Sequence, residues 1–286
     1  MGLGDLSFSA VASLRSIDEW IAVLNSNMAG AGRVGYKATR VKFEGGAVST
    51  GKPTVSPRLG VHIAEQSLGI VETTLDFNQG AITASTDFTH LAIQQTSAAP
   101  AFFVLNSLAD GSGTNYYTRD GEFHFNTEAP PRLVNSLGLY VMSNDGDAIS
   151  MIDDGDATAG ELNVTVGVVT GDEDVFNGQI LLDHLRVQIV NNPQLELQFS
   201  RYGSTVFELS PGAVLPAISI LDVNGNYNDA FGNASGRVVP NSLEASNASL
   251  TQTVPELSLA QKMYSAIAKV IQVSLSNIDT ALSLIR

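Results

Sequence analysis

The sequence predicts an α+β chain that is mainly β, with long N- and C-terminal helices paired as a coiled-coil-like domain around a β-rich middle. Two apolar stripes and one pattern of turns lead to this. Ala10, Leu14, Ile17, Ile21, Leu24 and Met28 alternate at spacings of four and three. Leu257, Ala260, Tyr264, Ile267, Ile271, Ile278, Ala281 and Ile285 do the same near the other end, with Ser274 as the one polar member. A period of 3.5 residues is the seam of helices that run along each other. Between these ends, short β-branched and aromatic runs alternate with Gly, Pro, Asn and Asp, the signature of strands and turns.

In order, the first helix is expected from about Asp5 to Met28, stopping where Gly30 and Gly32 oppose continuation. Gly35–Phe43 is extended, and Gly45, Gly46, Gly51, Pro53 and Pro57 mark an irregular arm. Strands are expected at Val61–Ile63, Leu91–Ile93, Ala101–Leu105, Leu162–Val169, Gln179–Val190, Leu195–Phe199 and Ala217–Val223. Asn115–Phe125 suggests two strands joined by the Asp120-Gly121 turn, and Asn224–Gly236 suggests a loop. The last helix is expected to start near Pro255. The resulting domains are residues 1–30 with 254–286 as a discontinuous helical assembly domain, 31–80 as an extended arm, and 81–253 as a β-rich outer domain carrying an acidic segment at 144–210.

On the last helix Met263, Val270, Leu275, Leu282 and Leu284 flank the stripe and are also apolar. A two-stranded coiled coil places charges there, so the wider stripe predicts more than one packing partner.

Composition narrows the function. With no cysteine among 286 residues, disulfide frameworks, thiolate nucleophiles and cysteine zinc sites are excluded. A net charge of −14 argues against nucleic-acid binding, which needs clustered Lys and Arg. The acidity is concentrated: residues 144–210 hold twelve acidic and two basic side chains, whereas residues 1–43 hold five basic and three acidic. The acidic segment is therefore expected on the outside of any assembly, with near-neutral ends in contact. No run of eighteen apolar residues exists to span a membrane, and charges at Asp5, Arg15, Asp18 and Glu19 interrupt any secretory signal.

No catalytic, cofactor or metal site is expected, so the chain is read as not an enzyme. His62, His90, His124 and His184 lack metal-binding spacing. Asp153-Asp154-Gly155-Asp156 and Asp172-Glu173-Asp174 do not follow a calcium-loop ladder, and Asp222–Asn226 is followed by Tyr227 where that loop needs glycine. Gly111-Ser112-Gly113 has no lysine after it, so it makes no phosphate loop.

Several blocks occur in a recognisable order: Leu24-Asn25-Ser26-Asn27-Met28-Ala29 with Gly35-Tyr36-Lys37; Gln79-Gly80-Ala81-Ile82 with Leu91-Ala92-Ile93; Phe102-Phe103-Val104; Tyr117–Phe123; and Leu243-Glu244-Ala245-Ser246-Asn247 before Leu259–Tyr264. Together they resemble the bacterial flagellar basal-body rod and hook protein family across nearly the full length. Gly30, Arg33, His90 and Ile267 depart from the family's usual residues. The resemblance implies a subunit of the axial rod, distal or proximal, that self-assembles through its terminal helices into a hollow helical shaft. It further implies partners in copies of itself and in neighbouring rod and hook subunits. Export would run through the flagellar type III apparatus without a cleaved signal peptide, to the basal body in the cell envelope.

The residues expected at the assembly interface are Leu14, Ile17, Ile21, Leu24, Asn27, Gly35, Tyr36, Lys37, Gln261, Tyr264, Ile267, Ile271, Ile278 and Leu282. For Tyr36 and Lys37 the alternatives are an anchor to neighbouring subunits or a local turn packed on its own domain. Alternative functions are a flagellar hook subunit or, in a different class, a secreted glycan-binding or glycan-cleaving β-domain protein.

Overall fold

The structure, a computed structural model, describes residues 3–46, 49–50, 62–63, 67–96, 100–143, 146–152, 161–163, 185–215, 219–220, 226–228 and 234–284. In chain order, α1 (Leu3–Gly30) is followed by β1 (Thr39–Gly46), β2 (Ser49–Thr50), β3 (His62–Ile63), β4 (Ser67–Leu75), β5 (Ile82–Ala84), β6 (Leu91–Gln95) and β7 (Ala101–Asn106). Then come β8 (Asn115–Thr118), β9 (Phe123–Phe125), β10 (Leu133–Asn135), β11 (Tyr140–Val141), β12 (Ser150–Ile152), β13 (Glu161–Asn163) and β14 (Arg186–Ile189). The chain ends with α2 (Pro193–Glu196), β15 (Leu197–Ser200), β16 (Gly203–Leu209), β17 (Ser219–Ile220), β18 (Asn226–Asn228), β19 (Ala234–Pro240), β20 (Ser242–Glu244) and α3 (Leu250–Leu284). It divides into two compact units. The first is Met1–Ala31, Ala38–Asp76 and Ala248–Arg286; the second is Gly32–Lys37 and Phe77–Asn247.

The first unit corrects the expected fold class. Among the described residues of the chain, strand makes up 37% and helix 31%, with one helix at each end and no long coiled coil between them. The physical reason is that the apolar stripe of α1 is shared with a hairpin. β1 pairs antiparallel with β4, from Thr39 opposite Leu75 to Gly46 opposite Ser67. Trp20 meets Phe43 of that hairpin edge-on at 5.1 Å, and the Leu68 amide donates to Ser13 Oγ at 2.9 Å. Ile17, Leu24 and Ala260 form one buried cluster, against which Leu68 of the hairpin packs beside Trp20, Ile21, Leu257, Met263 and Ile267. On α3 only the small side chains of Thr253, Ala260 and Ser274 are buried, while Tyr264 and Leu282 of the expected interface remain exposed.

The helix boundaries also shift. α3 begins five residues before Pro255, which therefore lies inside the helix. Its first turn is organised on the Ser249 carbonyl, which accepts from the Gln252 and Thr253 amides at 3.1 and 3.0 Å and from Thr253 Oγ1 at 2.9 Å. At the end of α1, Asn27 does more than stop a helix. Its Nδ2 donates to the Thr39 carbonyl at 2.7 Å and its Oδ1 accepts from the Thr39 amide at 2.8 Å, so one side chain pairs with a strand residue as a neighbouring backbone would.

The second unit is built on an antiparallel path of strands in the order β15-β16-β8-β7-β11-β10-β9, with β14 paired to β7 and β17. β7 is buried at all six positions. Its alternation sends Ala101, Phe103 and Leu105 into the main core with Leu91, Phe123, Leu133, Val187 and Val206. On its other face Phe102 joins an aromatic group with Phe77 and Phe207, at centroid distances of 5.6 and 6.2 Å. β18, β19 and β6 form a separate antiparallel sheet, and β20 pairs with β5.

Two further expectations are corrected. Asp120-Gly121 does not close a hairpin, because β8 is already flanked by β7 and β16 while β9 pairs with β10. The dipeptide instead carries the chain away from β8, with the Leu91 amide donating to the Gly121 carbonyl at 3.1 Å. The expected loop at 224–236 contains β18 and the start of β19, paired from Asn226 opposite Arg237. Both acidic runs, 153–156 and 172–174, lie outside the described residues, as do His184 and most of the strand expected at Leu162–Val169.

Candidate functional site

The second unit holds a charged network with no access to solvent. Lys37, Arg119 and Glu244 have side chains of 0% exposure. Glu244 Oε1 accepts from Lys37 Nζ at 2.6 Å and from the Gly80 amide at 2.8 Å, and its Oε2 accepts from Arg119 Nη1 at 3.0 Å. Lys37 Nζ also donates to the Asn78 carbonyl at 2.9 Å, and Arg119 Nη2 to Gln95 Oε1 at 2.9 Å. The guanidinium lies 5.2 Å from the centre of the Phe102 ring, a cation–π contact. A buried ion pair holds only when its remaining donors and acceptors are also satisfied, and here nearly all of them are. Arg119 Nε alone has no hydrogen-bond partner.

Glycines bring the segments close enough for these bonds. Gly35 has φ +65°, and a Cβ there would stand 2.4 Å from the Asp120 amide nitrogen; its own amide donates to the Glu244 carbonyl at 2.8 Å. Gly121 is as tightly placed, since a Cβ would meet the Leu91 carbonyl oxygen at 1.7 Å. Only a residue without a side chain permits these approaches. Tyr227 sits near the network with a buried hydroxyl that lacks a partner. Burial pushes its phenol up to about 12, the Glu244 charge adding to the shift and Arg119 opposing it.

Chemically, a carboxylate locked between two cations and closed to water cannot meet a substrate, whereas it can tie distant segments together. It draws on residues 35–37, 78–80, 95, 119 and 244. Tyr36 and Lys37 are therefore occupied within their own unit: Tyr36 is 2% exposed and its carbonyl accepts from the Asn247 amide at 3.3 Å. Sequence reasoning named Gly35, Tyr36 and Lys37 but missed their partners. Glu244 and Arg119 stood inside quoted motifs; the one available signal was the lone charge of Glu244 between Leu243 and Ala245, while Arg119 lies beside Thr118 and Asp120 and gave none.

The first unit offers a different surface. Of the expected interface residues, Ile17, Leu24 and Asn27 are buried within it, and Leu14, Ile21, Ile267, Ile271 and Ile278 are half-buried. Gln261, Tyr264 and Leu282 are exposed. Beside them Leu259, Val270, Val273, Leu275 and Leu284 are also exposed, between 45% and 82%. Leu259, Met263, Ala266, Val270 and Val273 recur at spacings of four and three. They make a second apolar stripe about 100° around the helix from Ala260.

Among the described residues no three His, Asp or Glu side chains are grouped to hold a metal ion, and no helix is long and apolar enough to cross a membrane. No protein-family model matches the chain, and no curated protein matches it. The resemblance to flagellar rod and hook subunits rests on the residues alone.

Proposed function

We propose that this chain is a structural subunit of the bacterial flagellar basal-body rod, working by self-assembly into a hollow axial shaft and carrying out no chemistry. The observation that carries this reading is the exposed apolar surface of α3. Large apolar side chains left in contiguous exposed stripes mark an interaction surface, and each half-exposed Leu or Val covered by a neighbour contributes roughly 1 kcal/mol. Copies of the same chain, with related axial subunits, are the partners this reading supplies.

A second support is the convergence of the quoted motifs. The blocks at 35–37, 79–82, 117–123 and 243–247 are far apart in the chain yet meet around Glu244, so the ordered resemblance falls on positions the fold depends on. The hook subunit and the glycan-directed protein have no observation of their own in their favour.

The test is electron microscopy of the concentrated full chain beside chains lacking residues 1–28 or 255–286. Helical tubes from the full chain, and none from either shortened chain, are expected. Tubes formed by a shortened chain would sink the proposal. So would a full chain that stays monomeric at every concentration reached.

A further inference from the structure

α1 and α3 share a buried cluster of Ile17, Leu24 and Ala260, yet residues 31–249 lie between them in the chain. On α3 that contact buries only the small side chains of Thr253, Ala260 and Ser274. Closing a loop costs more as the loop lengthens. Helices that meet so lightly across so long a separation therefore need their adjoining ends held together.

The second unit contains the bonds that do this. The chain passes between the units after Ala31, Lys37, Asp76 and Asn247. Within the second unit, residues beside these crossings are hydrogen-bonded to one another. The Gly35 amide donates to the Glu244 carbonyl at 2.8 Å, and the Asn247 amide to the Tyr36 carbonyl at 3.3 Å. Lys37 Nζ and Asn247 Nδ2 both donate to the Asn78 carbonyl, each at 2.9 Å. Glu244 Oε1 then accepts from Lys37 Nζ at 2.6 Å, which adds an ion pair to the same group. Only residues 31–35 separate α1 from the bonded Tyr36, and only 248–249 separate Asn247 from α3.

We propose that this bonded group is a tie for the terminal helices. By holding residues 35–37 beside 244–247, the second unit turns the pairing of α1 with α3 from a long-range closure into a short-loop one. Closure becomes less probable with about the three-halves power of loop length, so replacing roughly 220 residues by about nine favours pairing roughly a hundredfold. The β-rich unit is then no passive load on the helices. Glu244 is the group whose loss loosens the tie, since its carboxylate holds Lys37 and its carbonyl holds Gly35. The inference concerns the single chain and stands whether or not copies assemble.

The experiment is amide hydrogen exchange, read by mass spectrometry on the full chain, for wild type and Glu244→Gln. The variant is expected to speed exchange in α1 and α3 by tenfold or more, towards the roughly hundredfold of full release, although the altered side chain bonds to neither helix. Helices that exchange at the wild-type rate, while β5 and β20 exchange faster, overturn the proposal. Should the variant fail to fold, or leave β5 and β20 as protected as before, wild type in graded urea decides. The helices are expected to lose protection no later than the second unit; helices still protected where the second unit has already exchanged overturn the proposal.

Discussion

The two units invert the usual arrangement of side chains in opposite ways. The second unit keeps two cations and a carboxylate where no water reaches them, and satisfies them with a lysine-to-carbonyl bond, an arginine-to-amide bond and a glycine amide. The first unit leaves leucines and valines on the surface of α3, with no partner among the described residues. What the difference teaches is that burial and exposure each need an explanation. In the second unit the explanation is internal, since Glu244 answers both Lys37 and Arg119 within the same chain. In the first it is not, and the proposed neighbours supply it.

The largest effect that separates the two is expected at Glu244. Glu244→Ala leaves Lys37 and Arg119 buried without an anion, at a cost of about 3–5 kcal/mol, seen as an early loss of the second unit in urea. Unchanged unfolding would mean that the network is not what holds these segments. Gly35→Ala comes next, because φ +65° and the Asp120 contact both oppose a side chain. Roughly 3 kcal/mol is expected, again read in denaturant. Asn27→Ala removes both bonds to Thr39 and is expected to cost about 1–2 kcal/mol, with faster amide exchange at Thr39 as its local mark.

The smallest effect on folding is expected where assembly suffers most. Leu259→Ser combined with Val273→Ser touches side chains that are 52% and 59% exposed. Monomer stability is expected to change by less than about 0.5 kcal/mol per site, while sedimentation shows association lost. If the pair destabilises the monomer instead, the stripe belongs to the fold and the contrast between the units fails.

Helices at both ends were legible because a 3.5-residue period needs only local sequence. What covered them was not. A period records that a face is apolar, and the same stripe on α1 serves Leu68 of a hairpin as well as Ala260 of α3, while Trp20 off the stripe meets Phe43. The Asp120-Gly121 pair illustrates the same limit, since its turn chemistry is real but β8 had its two neighbours from elsewhere in the chain. Strand cores such as Ala101–Leu105 were plain from composition. The partnership of Lys37 with Glu244, separated by 207 residues, leaves no trace in one sequence, because nothing local distinguishes a buried lysine from a solvated one.

The hexapeptide Gly32–Lys37 is flanked on both sides by residues of the first unit yet folds with the second. A shortened gene that starts after the arm, at residue 81, would encode Arg119 and Glu244 without Lys37, Asn78 or Gly80. The smallest version of the β-rich unit that keeps the whole network is thus not a contiguous stretch of the gene. It has to be made by rejoining residues 32–37 to 77–247, and any library that cuts the chain only once on each side will miss it.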